Sequence, residues 1–204
     1  MSQDVIDILQ NMDTETMENQ LIMQCAPVIV GMKMSNLLII QNKYLRQIKK
    51  LLSRSKISYY VLYVSAEKST VLLYNRKKLE YYVSGKRIHR FLEECGYEEF
   101  ELKAIFRKLR KRYEIYRDFR PVEERKNLFP HELGLLLGYP LEDVQGFIQN
   151  DGKNYLYTGY WKVYCNVPPK RALFRRYEMA KETLIELVSN GVGIAEIIDA
   201  YSGI

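Results

Sequence analysis

The run Ser58-Tyr59-Tyr60-Val61-Leu62-Tyr63-Val64 is followed by Ser65-Ala66-Glu67-Lys68-Ser69 and then by Thr70-Val71-Leu72-Leu73-Tyr74. Both apolar runs are rich in tyrosine and aliphatic residues that fit a pleated, half-buried surface. The five small or polar residues between them let the chain reverse, so the stretch reads as a β-hairpin. Upstream, residues 36–40 form a short apolar run of strand length. Downstream, residues 154–165 alternate imperfectly through Tyr155, Tyr157, Tyr160, Trp161, Val163 and Tyr164, and read as one more strand, bent at Gly159.

Helical periodicity surrounds these strands. Residues 14–24 read as a helix capped by Asp13 or Thr14, with Met17, Leu21 and Gln24 on one stripe. Pro27 removes a backbone donor and disfavours helical geometry at Ala26, so this helix is expected to end there or to restart with Pro27 in its first turn. Residues 44–52 form a basic amphipathic helix, and residues 87–95 form another that Gly96 closes. Leu102, Ile105, Phe106, Leu109, Tyr113 and Tyr116 line one face of a long helix whose outer face is basic and which Pro121 stops. Pro130 is placed to open a helix that Gly138-Tyr139-Pro140 breaks before a second short one at 142–148. Pro168-Pro169 starts a final long helix to about Ser189, and residues 194–201 add a short one. The expected class is α+β: a small, mostly antiparallel sheet of about four strands covered by several helices. A single domain over 1–204 is expected, with an acidic N-terminal helical leader (about 1–24) and C-terminal helices (about 168–204).

Composition narrows the classes. Of 204 residues, 47% are hydrophobic and 27% charged, which excludes a disordered or collagen-like chain. No run approaches the roughly 18 apolar residues of a membrane span, and the start is acidic where a secretory signal is basic, so a cytoplasmic protein with no membrane partner is expected. Cys25, Cys95 and Cys165 form no C-x-x-C pair and leave one over in any pairing, which argues for reduced thiols. Charge is segregated within a net of +6. Asp4, Asp7, Asp13, Glu15 and Glu18 stand without a base in residues 1–24, whereas Lys33, Lys43, Arg46, Lys49, Lys50, Arg54 and Lys56 stand without an acid in residues 33–56. Residues 103–126 form a second basic block. Such blocks attract phosphates or acidic partners over a Debye length, and they equally serve as solvated helix faces.

Three places could carry chemistry. His131 and Glu132 follow Pro130 at an expected helix start, where unpaired amides and the positive dipole end favour an anion and a neutral imidazole; the same residues serve as local caps. The zinc-protease pattern needs a second histidine four residues on, and Leu135 stands there. With His89 as the only other histidine, no metal site is expected. Cys25, beside the proline, is a reactive thiol if a cation or helix end lowers its pKa, and a core residue otherwise. Tyr160, Trp161 and Lys162 join two aromatic rings and a cation on an extended segment, with Tyr160 and Lys162 expected on one side and Trp161 and Val163 on the other. That set suits a planar anionic ligand, or plain packing under a helix. The helical pair within 131–151 carries Glu132, Glu142, Asp143 and Asp151 and no lysine or arginine, which argues against a DNA-reading helix.

Several of these residues lie in longer motifs: Cys25-Ala26-Pro27, Phe129-Pro130-His131-Glu132-Leu133-Gly134, Leu137-Gly138-Tyr139-Pro140, Asp143-Val144, Gly146-Phe147-Ile148 and Gly159-Tyr160-Trp161-Lys162-Val163-Tyr164. Over roughly residues 22–177 the chain resembles the bacterial family known as domain of unknown function 3793, found mainly in anaerobic Gram-positive bacteria. The resemblance implies no established activity. Members usually read C-A-P-T-L-A-G where this chain has Cys25-Ala26-Pro27-Val28-Ile29-Val30-Gly31, so valines replace the usual threonine and alanine at 28 and 30.

The leading expectation is a protein that binds a small anionic or planar ligand where the His131 turn approaches Tyr160, Trp161 and Lys162, with Glu132 and Cys25 nearby. The alternative is an interaction protein whose basic residues Arg46, Lys49, Lys50, Arg107, Arg110 and Lys111 meet an acidic protein or nucleic acid. No residue pattern assigns a cofactor.

Overall fold

Strand β3 (Lys68–Asn75) lies between β1 (Ser35–Gln41) and β2 (Ile57–Val64) in a computed structural model that describes residues 3–118, 125 and 128–202. Both neighbours run antiparallel to it. As the central strand, β3 is covered on both faces: Val71 and Leu73 enter one core, Leu72 and Tyr74 the other. This is why its apolar run shows no alternation. A register shift between Val61 and Tyr63 leaves Leu62 without a partner on β3, and its side chain is fully buried in the second core.

The first core lies under α1 (Gln3–Asn11), α2 (Met17–Ile29), α3 (Leu45–Leu52), α9 (Val167–Ser189) and α10 (Ile194–Ser202), with Leu21, Ile22, Leu38, Ile40, Ile48 and Leu184 at its centre. The second lies under α4 (Arg76–Val83), α5 (Lys86–Glu94), α6 (Leu102–Asp118), α7 (Leu133–Leu136) and α8 (Leu141–Gln149). A hairpin of β4 (Tyr157–Thr158) and β5 (Lys162–Val163) packs on α9 through Trp161, Val163, Phe174 and Tyr177. The class is α+β, with the strands divided into a three-stranded antiparallel sheet and this separate hairpin.

Four local expectations change. Helix α2 is capped by Thr16, whose side chain accepts from the Asn19 amide at 3.3 Å, and it continues through Pro27 to Ile29. The proline falls in the last turn, and its own carbonyl accepts the Lys33 amide at 2.8 Å as Gly31, at φ +72°, turns the chain away. Helix α4 was not expected: its sequence is strongly polar and only Leu79 and Val83 are buried. Helix α7 is a single turn that begins at Leu133, so His131 and Glu132 lie in the tight turn before it and have no long helix dipole behind them. The segment 154–165 is a hairpin rather than one bent strand, reversing where the Gly159 amide bonds the Trp161 carbonyl at 3.1 Å. Pro121 lies outside the described residues.

Candidate functional site

Helices α7 and α8 and the β4–β5 hairpin are drawn together by close backbone approach and one buried carboxylate. A Cβ at Gly146 would lie 2.5 Å from Tyr164 Cγ, and one at Gly159 would lie 2.3 Å from Phe174 Cδ2, so neither position has room for a side chain. Asp143, on α8, is 2% exposed. It accepts the Trp161 indole N–H at 2.8 Å, the Tyr164 amide at 2.9 Å and the Lys170 ammonium at 2.7 Å. Lys170 also donates to the Cys165 carbonyl at 2.9 Å. A buried charge demands such compensation, and here one carboxylate ties α8, the hairpin and α9 to each other.

Between these elements lies a cavity of about 380 Å³. Leu37, Leu133, Leu137 and Val144 line it, with the rings of Tyr113, Phe129, Tyr139, Phe147, Tyr160 and Trp161; His131, Asp143 and Lys162 add polar groups. Trp161 stacks on Tyr139 at 5.0 Å and meets Phe174 edge-on at 4.5 Å. The His131 ring lies 5.3 Å from Phe129 and 5.4 Å from Phe147. Burial, with the Arg112 charge, lowers the His131 pKa below its ordinary 6.5 against the pull of Asp151, so the imidazole is neutral at pH 7. The Lys162 ammonium donates to the Gly152 carbonyl at 2.7 Å and lies over the rings of Tyr155 at 4.8 Å and Phe147 at 5.7 Å. The Tyr160 hydroxyl is held protonated by burial and by the Glu178 carboxylate.

His131, Tyr160, Trp161 and Lys162 thus share one cavity wall. The hairpin reversal corrects the expected alternation: it brings Tyr160, Trp161 and Lys162 to the cavity together. Glu132 and Cys25 are not on that wall. Glu132 is 1% exposed, pairs with Arg112 at 3.2 Å and accepts the Tyr97 hydroxyl at 2.9 Å, which fixes α7 to the region of α5 and α6. Cys25 is fully buried against β1, with Sγ 3.6 Å from the Leu37 carbonyl, and burial pushes its thiol up to about 12. It is a packed residue, not a reactive one. Arg46, Lys49 and Lys50 are exposed on α3, and Arg107, Arg110 and Lys111 are exposed on α6; the two helices cover opposite faces of the sheet and both pack against β2. Among the described residues, no three His, Cys, Asp or Glu side chains are grouped so as to hold a metal, and no helix is long and apolar enough to cross a membrane.

Sequence reading missed Tyr113, Phe129, Tyr139 and Phe147 as cavity residues: Tyr113 and Phe147 lie on helices, where an aromatic reads as core, and Phe129 and Tyr139 lie in connections with no period to place them. The Asp143–Lys170 pair left one usable trace: an acid in the first turn of α8 next to Val144, two residues after Leu141.

The family described as "Protein of unknown function (DUF3793)" matches residues 21–198, a span that contains every cavity-lining residue. The chain belongs to this family. The family's matched region opens within α2 and closes within α10, so it covers the whole three-stranded sheet and the hairpin. Comparison with curated proteins and with solved structures gave no match.

Proposed function

We propose that the aromatic cavity binds a small planar ligand bearing an anionic group. The observation that carries this reading is the state of the cavity's two charged side chains. Asp143 already has three donors, whereas Lys162 has a backbone carbonyl and, among the described residues, no carboxylate ion pair. The remaining wall offers ring faces and aliphatic groups, as small-molecule sites commonly do. A planar body would stack among Tyr139, Phe147 and Trp161, its anionic group would meet Lys162, and the neutral His131 ring would supply a hydrogen bond.

Trp161 is the only tryptophan, so its fluorescence reports on this cavity alone. Titration with 8-anilinonaphthalene-1-sulfonate, a planar aromatic anion, is expected to quench Trp161 saturably at one site. Lys162→Met should weaken that binding about tenfold, the scale of one charge-assisted hydrogen bond, while leaving the uncharged N-phenyl-1-naphthylamine unaffected. Quenching that never saturates, or equal affinity in the Lys162→Met protein, would overturn the reading.

A further inference from the structure

The two edges of the three-stranded sheet are treated differently. On β1, the Gln24 side-chain amide accepts the Ile39 N–H at 2.8 Å and donates to the Ile39 carbonyl at 3.0 Å, and Cys25 Sγ approaches the Leu37 carbonyl. That edge is closed by α2. It also fixes the hydrogen-bonding parity of the sheet, because backbone groups alternate direction along a strand. With Leu37 and Ile39 facing outward, Leu38 and Ile40 bond to Val71 and Ser69 of β3. Leu72 and Tyr74 then bond in the other direction, to Tyr60 and Ser58 of β2. The N–H and C=O groups of Ile57, Tyr59 and Val61 therefore point away from the sheet. The Ile57 amide is taken by Ser55 Oγ at 3.1 Å. Among the described residues, no group bonds the outward backbone of Tyr59 or Val61.

Strand β2, with sequence ISYYVLYV, is free of charge, but its flanks are cationic. Lys49 lies over the Tyr59 ring at 5.8 Å and Arg117 over the Tyr63 ring at 5.3 Å, and Arg46 and Lys50 are exposed on the same α3 helix, which has no acid. Of the acids of α6, Glu114 pairs with Arg110 at 2.7 Å, and Asp118 accepts the Tyr63 hydroxyl at 2.5 Å and keeps its charge, but the helix carries seven bases against these two acids. A second copy of the chain on this edge would oppose cationic flank to cationic flank, and the irregularity at Leu62 shortens the pairing surface to Ile57–Val61. An extended segment with acidic side chains meets neither obstacle. We propose that the outer edge of β2 accepts an extended acidic segment of a partner protein as an added strand, with Tyr59 and Val61 making the backbone bonds and Lys49 and Arg117 pairing with its carboxylates. This is independent of the cavity, whose lining includes no residue of β2.

The test is amide hydrogen exchange of the full chain, read by NMR, with an acetylated octapeptide of pattern T-E-E-T-E-E-T-E, which puts carboxylates on both faces of an extended strand. Bound peptide is expected to slow exchange at Tyr59 and Val61 about tenfold or more, as a newly hydrogen-bonded edge requires. Binding should weaken with added salt, and by about fivefold in the Lys49→Gln, Arg117→Gln protein. Tyr59→Pro removes an outward N–H without touching a bond to β3, and should abolish binding while the amide NMR spectrum of β1 and β3 keeps its parental dispersion. Equal binding of a threonine–lysine peptide, or binding that leaves those two amides exchanging freely, overturns the proposal. So does slowing of the same amides by raised protein concentration alone, which would give the edge to a second copy. Tighter binding of a single-stranded oligothymidylate than of the peptide would give the surface to nucleic acid and likewise overturn it.

Discussion

Asp143 shows how one side chain can be structural and still set the site. Its oxygens meet three donors, two from the hairpin segment and one from α9, and the Lys170 partner is itself 6% exposed. Asp143→Ala leaves the buried Lys170 ammonium with only the half-exposed Glu142 carboxylate, at 3.5 Å, as counter-charge, and urea denaturation is expected to show a loss of about 3 kcal/mol. The freed indole should also shift Trp161 emission. Lys33 is a second buried cation. It is 4% exposed, donates to Asn36 Oδ1 and faces the Tyr139 ring at 5.3 Å, and burial pulls its pKa from 10.5 to about 8 despite the Cys25 thiol beside it. Its folded pKa lies below its unfolded one, so the cost of burying the charge is fully present below pH 8. That cost disappears as pH rises toward 10.5, where the unfolded chain still holds the proton. The difference corresponds to about 3 kcal/mol, and losing the Asn36 bond offsets about 1 kcal/mol of it. Lys33→Met is therefore expected to be more stable than the parent by about 2 kcal/mol at pH 7. The advantage should vanish between pH 8 and 10.5 in parallel urea melts. Cys25, raised to about 12, lowers stability between pH 9 and 12 in both proteins and largely cancels in the comparison. At this scale the sequence singled out His131 and Lys162 because their motifs set polar groups among aromatics, and both line the same cavity. It could not separate His131 from Glu132, since neighbours in a tight turn point to opposite sides.

Elements were legible where their burial has a period and obscure where it has none. The tyrosine-rich hairpin, α6 with its apolar stripe, and α9 behind its two prolines could be read directly. Helix α4 could not, because two buried residues give no stripe. Helix α2 ran on through Pro27 because tertiary packing of Cys25, Ala26, Val28 and Ile29 outweighs one missing hydrogen bond in a last turn. The β4–β5 hairpin was hidden by its two-residue strands, too short for alternation to register. Its reversal depends on Gly159, whose missing side chain lets the turn lie against Phe174. Gly159→Ala puts a methyl at 2.3 Å from that ring, and an aromatic packed between Tyr157, Tyr160 and Trp161 has little freedom to yield. A destabilisation of about 1–3 kcal/mol is expected from overpacking. Because the hairpin supplies Tyr160, Trp161 and Lys162, affinity for the naphthalene sulfonate should fall with it. Unchanged stability together with unchanged dye affinity would show that the close approach at Gly159 does not position the cavity wall.

Over the whole molecule, the sheet separates two cores, and only one of them borders the cavity. Leu37 points to the cavity side of β1, whereas Leu38 and Ile40 pack into the other core with Leu184 and Ile185 of α9. Helix α9 joins the two regions: its N-terminal half holds Phe174 and Tyr177 against the hairpin, and its C-terminal half lies in the first core. Native packing either transmits a defect along α9 or confines it to the face where it is made, and one substitution separates these outcomes. Leu184→Ala opens space in the first core at a fully buried position and is expected to cost about 2–5 kcal/mol. If the sheet and the Asp143–Lys170 clamp hold the cavity independently, the midpoint of urea unfolding falls, but Trp161 emission and dye affinity under native conditions stay at parent values. The same loss of stability made by Asp143→Ala should alter both. Measuring stability and dye affinity on the two variants side by side therefore decides whether the cavity is held by its own local bonds or by the packing of the molecule as a whole.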